Sequence, residues 1–426
     1  MAMNFTNVIK PTHLCNLTCS YCYNEDTRAP VMPTDTLRRV VDETFHYCST
    51  LAPYPHVDFI WHGGEPMIAG LDFFQEAVVA QRLANRGLTY DNTLQTNGTF
   101  LDDSWADFLK ANRFRVSISI DGPREMHDAT RQYASRRGSF DAVMKGVGHL
   151  RKSGIPFGVC VVLSKANASR AEEIYDFLAA ERLPFNVIPL TRSGDGLANY
   201  GDLGLAAEEY ASPWIKMFDR WYDAPKEGYV YCSDFALKTR AILTGSPQDC
   251  IGQEVCSTAH VSTDPDGNVY PCATLSADDE WRYGNLLEKS LLELMSGPVA
   301  SRARERQVDP HCVSCKWRHV CHGGCMQRAV KFYGTHHTRD YYCDSLYRIY
   351  DHIEERLRKE PRLSLHALPD PEHVDRRPMP PLRQLQSREV KHVIRLKLLN
   401  DQPNLTKGED DEQSKEKKAC ESRGIR

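Results

Sequence analysis

The chain has 426 residues, 41% of them apolar and 26% charged, enough to build one large or two moderate cores, which argues against a disordered or fibrous chain. Its 53 basic and 57 acidic residues leave a net charge of −4, so no long-range field draws it to nucleic acid or to an anionic membrane. The 15 cysteines, an odd number, argue against a closed disulfide framework; with no signal-peptide pattern and no apolar run of membrane-spanning length, the chain is expected in the reducing cytoplasm.

Through residue 190, β-rich runs alternate with helical patterns. Strands are predicted at Phe5–Lys10, Val57–His62, Asn92–Thr96, Phe114–Ile120, Phe157–Leu163 and Phe185–Leu190, each rich in β-branched or aromatic residues. After the first, Thr34 can cap a helix whose apolar residues Leu37, Val40, Val41, Phe45 and Cys48 follow helical spacing. Further helices are predicted near Asp72–Ala84, Ser104–Asn112, Ser139–Ser153 and Ala171–Glu181. Six β/α units imply a parallel sheet, either open and doubly wound or an incomplete barrel. In both, functional groups belong on the loops after the strands' C-terminal ends.

From Asp195 to Ser246 the pattern becomes a Gly-rich connection and a helical stretch whose Trp214, Phe218, Trp221 and Tyr222 read as packing. The segment Cys250 to Cys343 is dense in Cys, Gly and aromatics and is expected to bury little continuous apolar surface, so ligated metal is the natural support for its fold. Beyond Pro361 the chain is Pro-rich and then mixed in charge, expected as a largely mobile tail with one short helix at Val390–Leu399.

Just after the first strand stands Cys15-Asn16-Leu17-Thr18-Cys19-Ser20-Tyr21-Cys22. Three thiolates on one short loop can hold three irons of a four-iron cluster and leave the fourth without a protein ligand. Zinc suits the loop less well: structural zinc takes four ligands, no fourth follows at usable spacing, and His13 sits too close on the wrong side.

This Cys-x3-Cys-x2-Cys spacing resembles the radical S-adenosylmethionine superfamily. His62-Gly63-Gly64-Glu65-Pro66 follows the second strand, as does the family's Gly-Gly-Glu-Pro run that receives the methionine amino group. Leu94-Gln95-Thr96-Asn97-Gly98-Thr99 follows the third strand, and Ser117 to Pro123, trailed by His127, Asp128 and Arg131, the fourth. The resemblance implies cluster ligands at Cys15, Cys19 and Cys22, and S-adenosylmethionine binding by Tyr21, Gly63, Gly64, Glu65, Pro66, Asn97, Ser119 and Arg131. Ser119 and Arg131 would hold its carboxylate, a guanidinium facing a carboxylate being the expected chemistry. The plainer reading of Arg131 is a solvated surface charge.

The second half holds Cys250-x5-Cys256, then Gly267 and Cys272, then Cys312-x2-Cys315-x5-Cys321-x3-Cys325, and last Cys343. Eight cysteines divide into two complete sets of four. Their order, with Gly267 and Tyr283-Gly284-Asn285-Leu286, resembles the SPASM extension of the same superfamily. That resemblance implies one auxiliary cluster on Cys250, Cys256, Cys272 and Cys325 and another on Cys312, Cys315, Cys321 and Cys343; two ribbon-type zinc sites are the alternative. Cys48 and Cys160 read as core, while Cys232 and Cys420 have no assignable role.

The expected fold is therefore α/β, a partial (β/α)6 TIM-type barrel over residues 1–195, a helical connection over 196–246, a small Cys-rich SPASM domain with two auxiliary iron–sulfur clusters over 247–350, and a C-terminal tail over 361–426. With S-adenosylmethionine and three 4Fe–4S clusters, the family generates a 5′-deoxyadenosyl radical that takes hydrogen from unactivated carbon. Two auxiliary clusters offer the remaining substrate electron a route out, so a net oxidation is expected.

Over about residues 5–350 the overall resemblance is to anaerobic sulfatase maturases and related peptide maturases. Sulfatase maturases carry an Asp after the third SPASM cysteine, taken as the proton acceptor when Ser or Cys becomes formylglycine. Here Ala273 follows Cys272, with Asp278 and Asp279 nearby. That exchange tips the expectation toward oxidative cross-linking of a ribosomally made precursor peptide, aromatic carbon to β-carbon, giving a cyclophane. Formylglycine formation is the alternative, and a non-catalytic metal scaffold the third reading. The expected partners are the precursor peptide and an electron donor such as flavodoxin or ferredoxin, with neither nucleic acid nor membrane.

Overall fold

The computed structural model describes residues 4–24, 30–50, 56–225, 228–276, 278–307 and 309–359. The expected tail, its short helix and Cys420 lie outside the described residues.

Six parallel strands pair in chain order: β1 (Phe5–Thr12), β2 (His56–Gly63), β3 (Thr89–Thr96), β4 (Arg115–Ser119), β5 (Phe157–Leu163) and β6 (Phe185–Pro189). Parallel neighbours need crossovers. These are α1 (Thr34–Thr50), α2 (Gly70–Ala84), α3 (Asp103–Ala111), the pair α4 (Arg124–Thr130) and α5 (Phe140–Ser153), and α6 (Ala171–Ala180). Because the order never reverses and such crossovers are right-handed, the helices share one face of the sheet, which selects the barrel-type winding over the doubly wound one. Thr34 begins α1 rather than preceding it, and the short α4 carries no apolar periodicity long enough to be read from sequence.

Alternation along the strands then assigns the faces. Phe5, Ile9, Val57, Phe59, Trp61, Leu94, Val116, Ile118, Val159 and Val161 are buried against the helices. The opposite face carries Lys10, Asp58, His62, Gln95, Ser117, Ser119 and Cys160, a polar inner surface. Cys160 pairs in register with Ser119 and is only partly buried, so it faces this interior and is not the core residue expected; the apolar run around it hid the period of two. Cys48 is buried in the core.

The connection forms α7 (Gly194–Ala198), α8 (Tyr200–Leu203), α9 (Ala211–Asp223) and α10 (Ser233–Thr244). Trp214, Phe218, Trp221 and Tyr222 of α9 are buried, with Trp214 edge-on to Phe235 at 4.7 Å. Cys232, also buried, lies where the chain adds a parallel bridge to Phe185 beside β6.

The Cys-rich half departs from expectation. Its first strand, β7 (His260–Thr263), pairs in parallel with β1, and β8 (Asn268–Tyr270) and β9 (Gly284–Asn285) follow antiparallel, extending one sheet to nine strands. Six helices follow: α11 (Leu291–Ser296), α12 (Pro298–Arg304), α13 (Pro310–Val313), α14 (Arg318–Cys321), α15 (Met326–Tyr333) and α16 (Cys343–Lys359). Val261, Val269, Leu275, Leu286, Leu291, Leu294 and Ile349 join the core of the first half, so short apolar segments that could not form a core alone are buried by docking on it. Arg39 of α1 donates to the Leu286 carbonyl at 3.1 Å, and Glu43 accepts from the Leu291 amide at 2.8 Å. Among the described residues no helix is long and apolar enough to cross a membrane.

The floor of the inner face is ionic. The His56 ring, 2% exposed, stands 3.4 Å from Asp58 and 3.2 Å from Asp91, and Arg115 reaches the same two carboxylates at 3.5 and 3.0 Å. Two positive and two negative groups balance there. Burial disfavours the charged ring, but hydrogen bonds with Asp58 and Asp91 outweigh it and raise His56 from 6.5 to about 9. Its contribution is therefore full below the unfolded value near 6.5 and lost as pH rises through about 9. Replacing His56 with Gln should cost about 2 kcal/mol at neutral pH. Paired urea titrations of the two proteins should converge as the pH passes that of His56.

Candidate active site

The loops beyond the C-terminal ends of β1 to β4 converge. After β1, residues 13–24 carry Cys15, Cys19 and Cys22. Gly63 has φ 114°, and a Cβ there would stand 2.3 Å from the Thr12 carbonyl oxygen; one on Gly64 would stand 2.2 Å from that of Leu14. Only glycine lets the end of β2 lie flat on the cysteine loop. Glu65, buried, accepts from the Met67 amide (3.1 Å), the Thr96 hydroxyl (2.7 Å) and the Asn97 amide (2.7 Å). Burial drives its carboxyl up to about 7 against these bonds. Pro66 opens the short 3₁₀ turn that follows. Asn97 donates to Asn16 at 2.8 Å and lies 3.8 Å from the Cys15 sulfur.

The fourth loop closes the ring. The amides of Thr18 and Ser20 donate to the carbonyls of Gln132 (2.7 Å) and Thr130 (3.0 Å). Arg131 is buried, not a solvated surface charge: its Nε donates to Asp121 at 2.9 Å, its guanidinium lies 5.2 Å from the Tyr21 ring centroid, and its Nη1 is 3.9 Å from the Cys19 sulfur. Asp121 also accepts from the Tyr21 hydroxyl and, at 3.0 Å, from the Val162 amide. Tyr21 and Asp121 thus hold Arg131 against the cysteine loop. Asp121 lies inside the Ser117–Pro123 run but shows its role only when β4 and β5 are adjacent. Ser119, at the end of β4, accepts from Gln95 at 3.3 Å.

The later cysteines gather into two groups. Cys250, Cys256, Cys272 and Cys325 act on one another electrostatically, as do Cys312, Cys315, Cys321 and Cys343 among themselves. Asp340 joins the groups. Its carboxylate accepts from the Cys325 amide (2.8 Å), the Tyr342 amide (2.9 Å) and buried Arg328 (2.8 Å), and its carbonyl accepts from the Cys343 amide at 3.0 Å. Burial pushes Cys19 up to about 11 and Cys15, Cys256, Cys321 and Cys343 up to about 12, and neighbouring thiols add to the shift. Clustered buried thiols of this kind are stable as thiolates only around bound cations, and all-sulfur donor sets suit iron–sulfur clusters.

Of the carboxylates near Ala273, Asp278 reaches Lys331 at 3.5 Å, and Asp279 has a side chain 83% exposed beside Arg282. Sequence reasoning missed a different group, on the inner face: Lys10 and Asp264 stand 3.4 Å apart, with His13 3.6 Å from the second Asp264 oxygen and 2.8 Å from Asn24. A lysine amid the apolar residues of β1 was the available signal. The Tyr23 hydroxyl lies 3.4 Å from the His62 ring, which burial pushes down to about 4 and so keeps neutral.

Residues 9–178 match the radical SAM superfamily and residues 256–316 the iron–sulfur cluster-binding SPASM domain. The chain is 30% identical to a cysteine-type anaerobic sulfatase-maturating enzyme of Clostridium perfringens over 82% of its own length and 96% of the relative's. With a serine-type enzyme of Bacteroides thetaiotaomicron it shares 27% identity over 81% and 88%. The solved structure of native anSMEcpe with bound AdoMet and Cp18Cys peptide superposes with a TM-score of 0.73 at 28% identity, over 83% of this chain and 98% of that one. Streptococcus suis SuiB bound to its precursor peptide SuiA shares the fold at 16% identity and TM-score 0.58, over 80% and 76%. These similarities overturn the cyclophane expectation. That expectation rested on one side chain, Ala273, whereas the likeness to sulfatase-maturating enzymes runs nearly the whole length of the relative.

Replacing Asp121 with Ala would leave the Arg131 guanidinium buried without a counter-charge. A cost of about 3–5 kcal/mol is expected, against under about 1 kcal/mol for Ser119→Ala at a half-buried hydroxyl. Thermal melts of the two variants at matched iron content should separate them.

Proposed function

The chain belongs to the anaerobic sulfatase-maturating family of radical S-adenosylmethionine enzymes, and from that premise we propose that it oxidises a Cys or Ser side chain of a protein substrate to formylglycine. The observation that carries this reading is similarity over 96% of a cysteine-type maturase, together with comparable similarity to the serine type. S-adenosylmethionine and iron–sulfur clusters are its cofactors.

Cys15, Cys19 and Cys22 would hold the cluster that keeps one open iron, with Cys250, Cys256, Cys272 and Cys325 and then Cys312, Cys315, Cys321 and Cys343 holding two closed ones. Bound together and reduced, the first cluster and S-adenosylmethionine supply a 5′-deoxyadenosyl radical that takes hydrogen from carbon. The protein's part is placement. The backbone at Gly63, Gly64 and Glu65 would receive the methionine amino group, assisted by Pro66 and Asn97. Ser119 and Arg131 would take its carboxylate, and Asp121 and Tyr21 fix the guanidinium so that little ordering is left for the moment of binding. The inner face of the sheet, with Cys160 and Ile188 on its rim, would admit the substrate side chain and keep bulk water away from the radical. A flavodoxin- or ferredoxin-type donor would deliver the electron, and a reducing compartment suits this many unpaired thiols.

Two measurements test the reading. A peptide of Cys-x-Pro-x-Arg type, incubated anaerobically with reductant and S-adenosylmethionine, should acquire an aldehyde that a hydrazide traps; a peptide consumed without aldehyde would sink it. The loaded protein should contain about 12 Fe per chain, falling by about 4 when Cys15, Cys19 and Cys22 are all replaced by Ala. An unchanged iron content in that variant would remove the open-iron site.

A further inference from the structure

Forming the C=S or C=O bond of a thioaldehyde or aldehyde requires the heteroatom to lose a proton, and sulfatase maturases carry an Asp for it directly after the third SPASM cysteine. Ala273 occupies that place here. Asp278 is engaged by Lys331 and Asp279 faces solvent.

One carboxylate is built into the polar interior beside the same turn. Asp264 directly follows β7; Ser262, two residues earlier, pairs with Val8 on the inner face, and so Asp264 points to that face as Lys10 does. It is 5% exposed. Ser276, three residues beyond Ala273, donates to Ser262 at 3.4 Å and acts on the Asp264 carboxyl, which puts that carboxylate near the 3₁₀ turn Ala273–Leu275. His13 flanks Oδ2 at 3.6 Å and Lys10 stands 3.4 Å from Oδ1, yet Oδ1 has no aligned hydrogen-bond donor. An oxygen held by an ammonium at this distance and without an aligned hydrogen bond keeps a lone pair open to a proton from the substrate. Burial works to push the Asp264 carboxyl up, but the neighbouring His13 ring and the charge of Lys10 outweigh it and hold it below the ordinary carboxylate range. Both Lys10 and Tyr23 feel the charges of Cys22 and Cys272, so the group lies between the first cysteine loop and the first auxiliary set.

We propose that Asp264 is the proton acceptor of the oxidation, in place of the carboxylate that sulfatase maturases carry after the third cysteine; the proposal rests on the formylglycine reading. Removal of one hydrogen atom from the substrate Cβ leaves a carbon radical beside the sulfur or oxygen. The S–H or O–H proton passes to Asp264 and one electron to an iron–sulfur centre, the one-electron oxidant, and the carbon–heteroatom double bond forms. For Ser this is the aldehyde; for Cys, water then replaces sulfur, which leaves as hydrogen sulfide. Lys10 keeps the waiting carboxylate charged, and His13, held by Asn24, keeps it oriented.

The test compares wild type, D264N and the double variant D264N/A273D on a Cys-x-Pro-x-Arg peptide deuterated at the Cys β-carbon, at equal iron content and equal peptide affinity. Wild type should transfer deuterium to 5′-deoxyadenosine and form aldehyde. D264N should transfer deuterium within about 3-fold of wild type, lose about 100-fold in aldehyde, and accumulate a carbon-centred radical visible by electron paramagnetic resonance in frozen samples. A273D should restore aldehyde in the double variant to within about 10-fold. Aldehyde from D264N at the wild-type rate would overturn the assignment. So would joint loss of deuterium transfer and aldehyde that A273D does not restore, since that marks a structural carboxylate. Deuterium transfer by wild type with no aldehyde would instead bring down the formylglycine reading, and this proposal with it.

Discussion

The parallel pairing of β7 with β1 is the contact on which the rest of the molecule depends. β1 would otherwise present an open edge in the middle of the fold, with unpaired backbone groups beside the cysteine loop. By taking that edge at Thr6, Asn7, Val8 and Ile9, β7 sets the Cys-rich half against the first cysteine loop in a fixed register. The position of Cys272, the burial of Asp264 and the docking of Leu286 and Leu291 on α1 all follow from it.

A second constraint is charge inside the fold. Arg131 with Asp121, Arg328 with Asp340 and Lys10 with Asp264 are buried pairs, and each ties down a loop that carries thiols. Such pairs add little net stability, because desolvation offsets most of their attraction, but removing one partner is expensive. They therefore restrict the conformations open to the loops more than they strengthen the fold. Asp340 shows the use clearly: one carboxylate positions the backbone of Cys325 in one group and, through the same turn, Cys343 in the other.

Residue 273, an alanine, bears on how far one position can decide a reaction. Read alone, the loss of a carboxylate argues for a change of reaction. In the folded chain another carboxylate, Asp264, stands with Lys10 and His13 on the inner face, eight residues before Cys272. A proton acceptor needs a place in space and not a place in sequence, so a single position weighs less than the similarity of the whole chain.

What was legible from the residues was local. The six strands and five of their helices declared themselves by periodicity, Gly63 and Gly64 by the resemblance of the Gly-Gly-Glu-Pro run to the family's, and the cysteines by spacing. Asp121, Lys10, Asp264 and Asp340 were not legible, because each acts on groups far away in the chain and carries no periodic or spaced signal of its own. Nor was the inward face of Cys160, since in a run of apolar residues the alternation of a strand is silent. The sequence by itself determined which elements form and which thiols are available, for these follow from interactions within a few residues. Only the tertiary structure decided how the two halves share one sheet and one core, and which charges meet inside, because strand pairing and burial bring together residues that the chain keeps some 250 apart, as with Lys10 and Asp264.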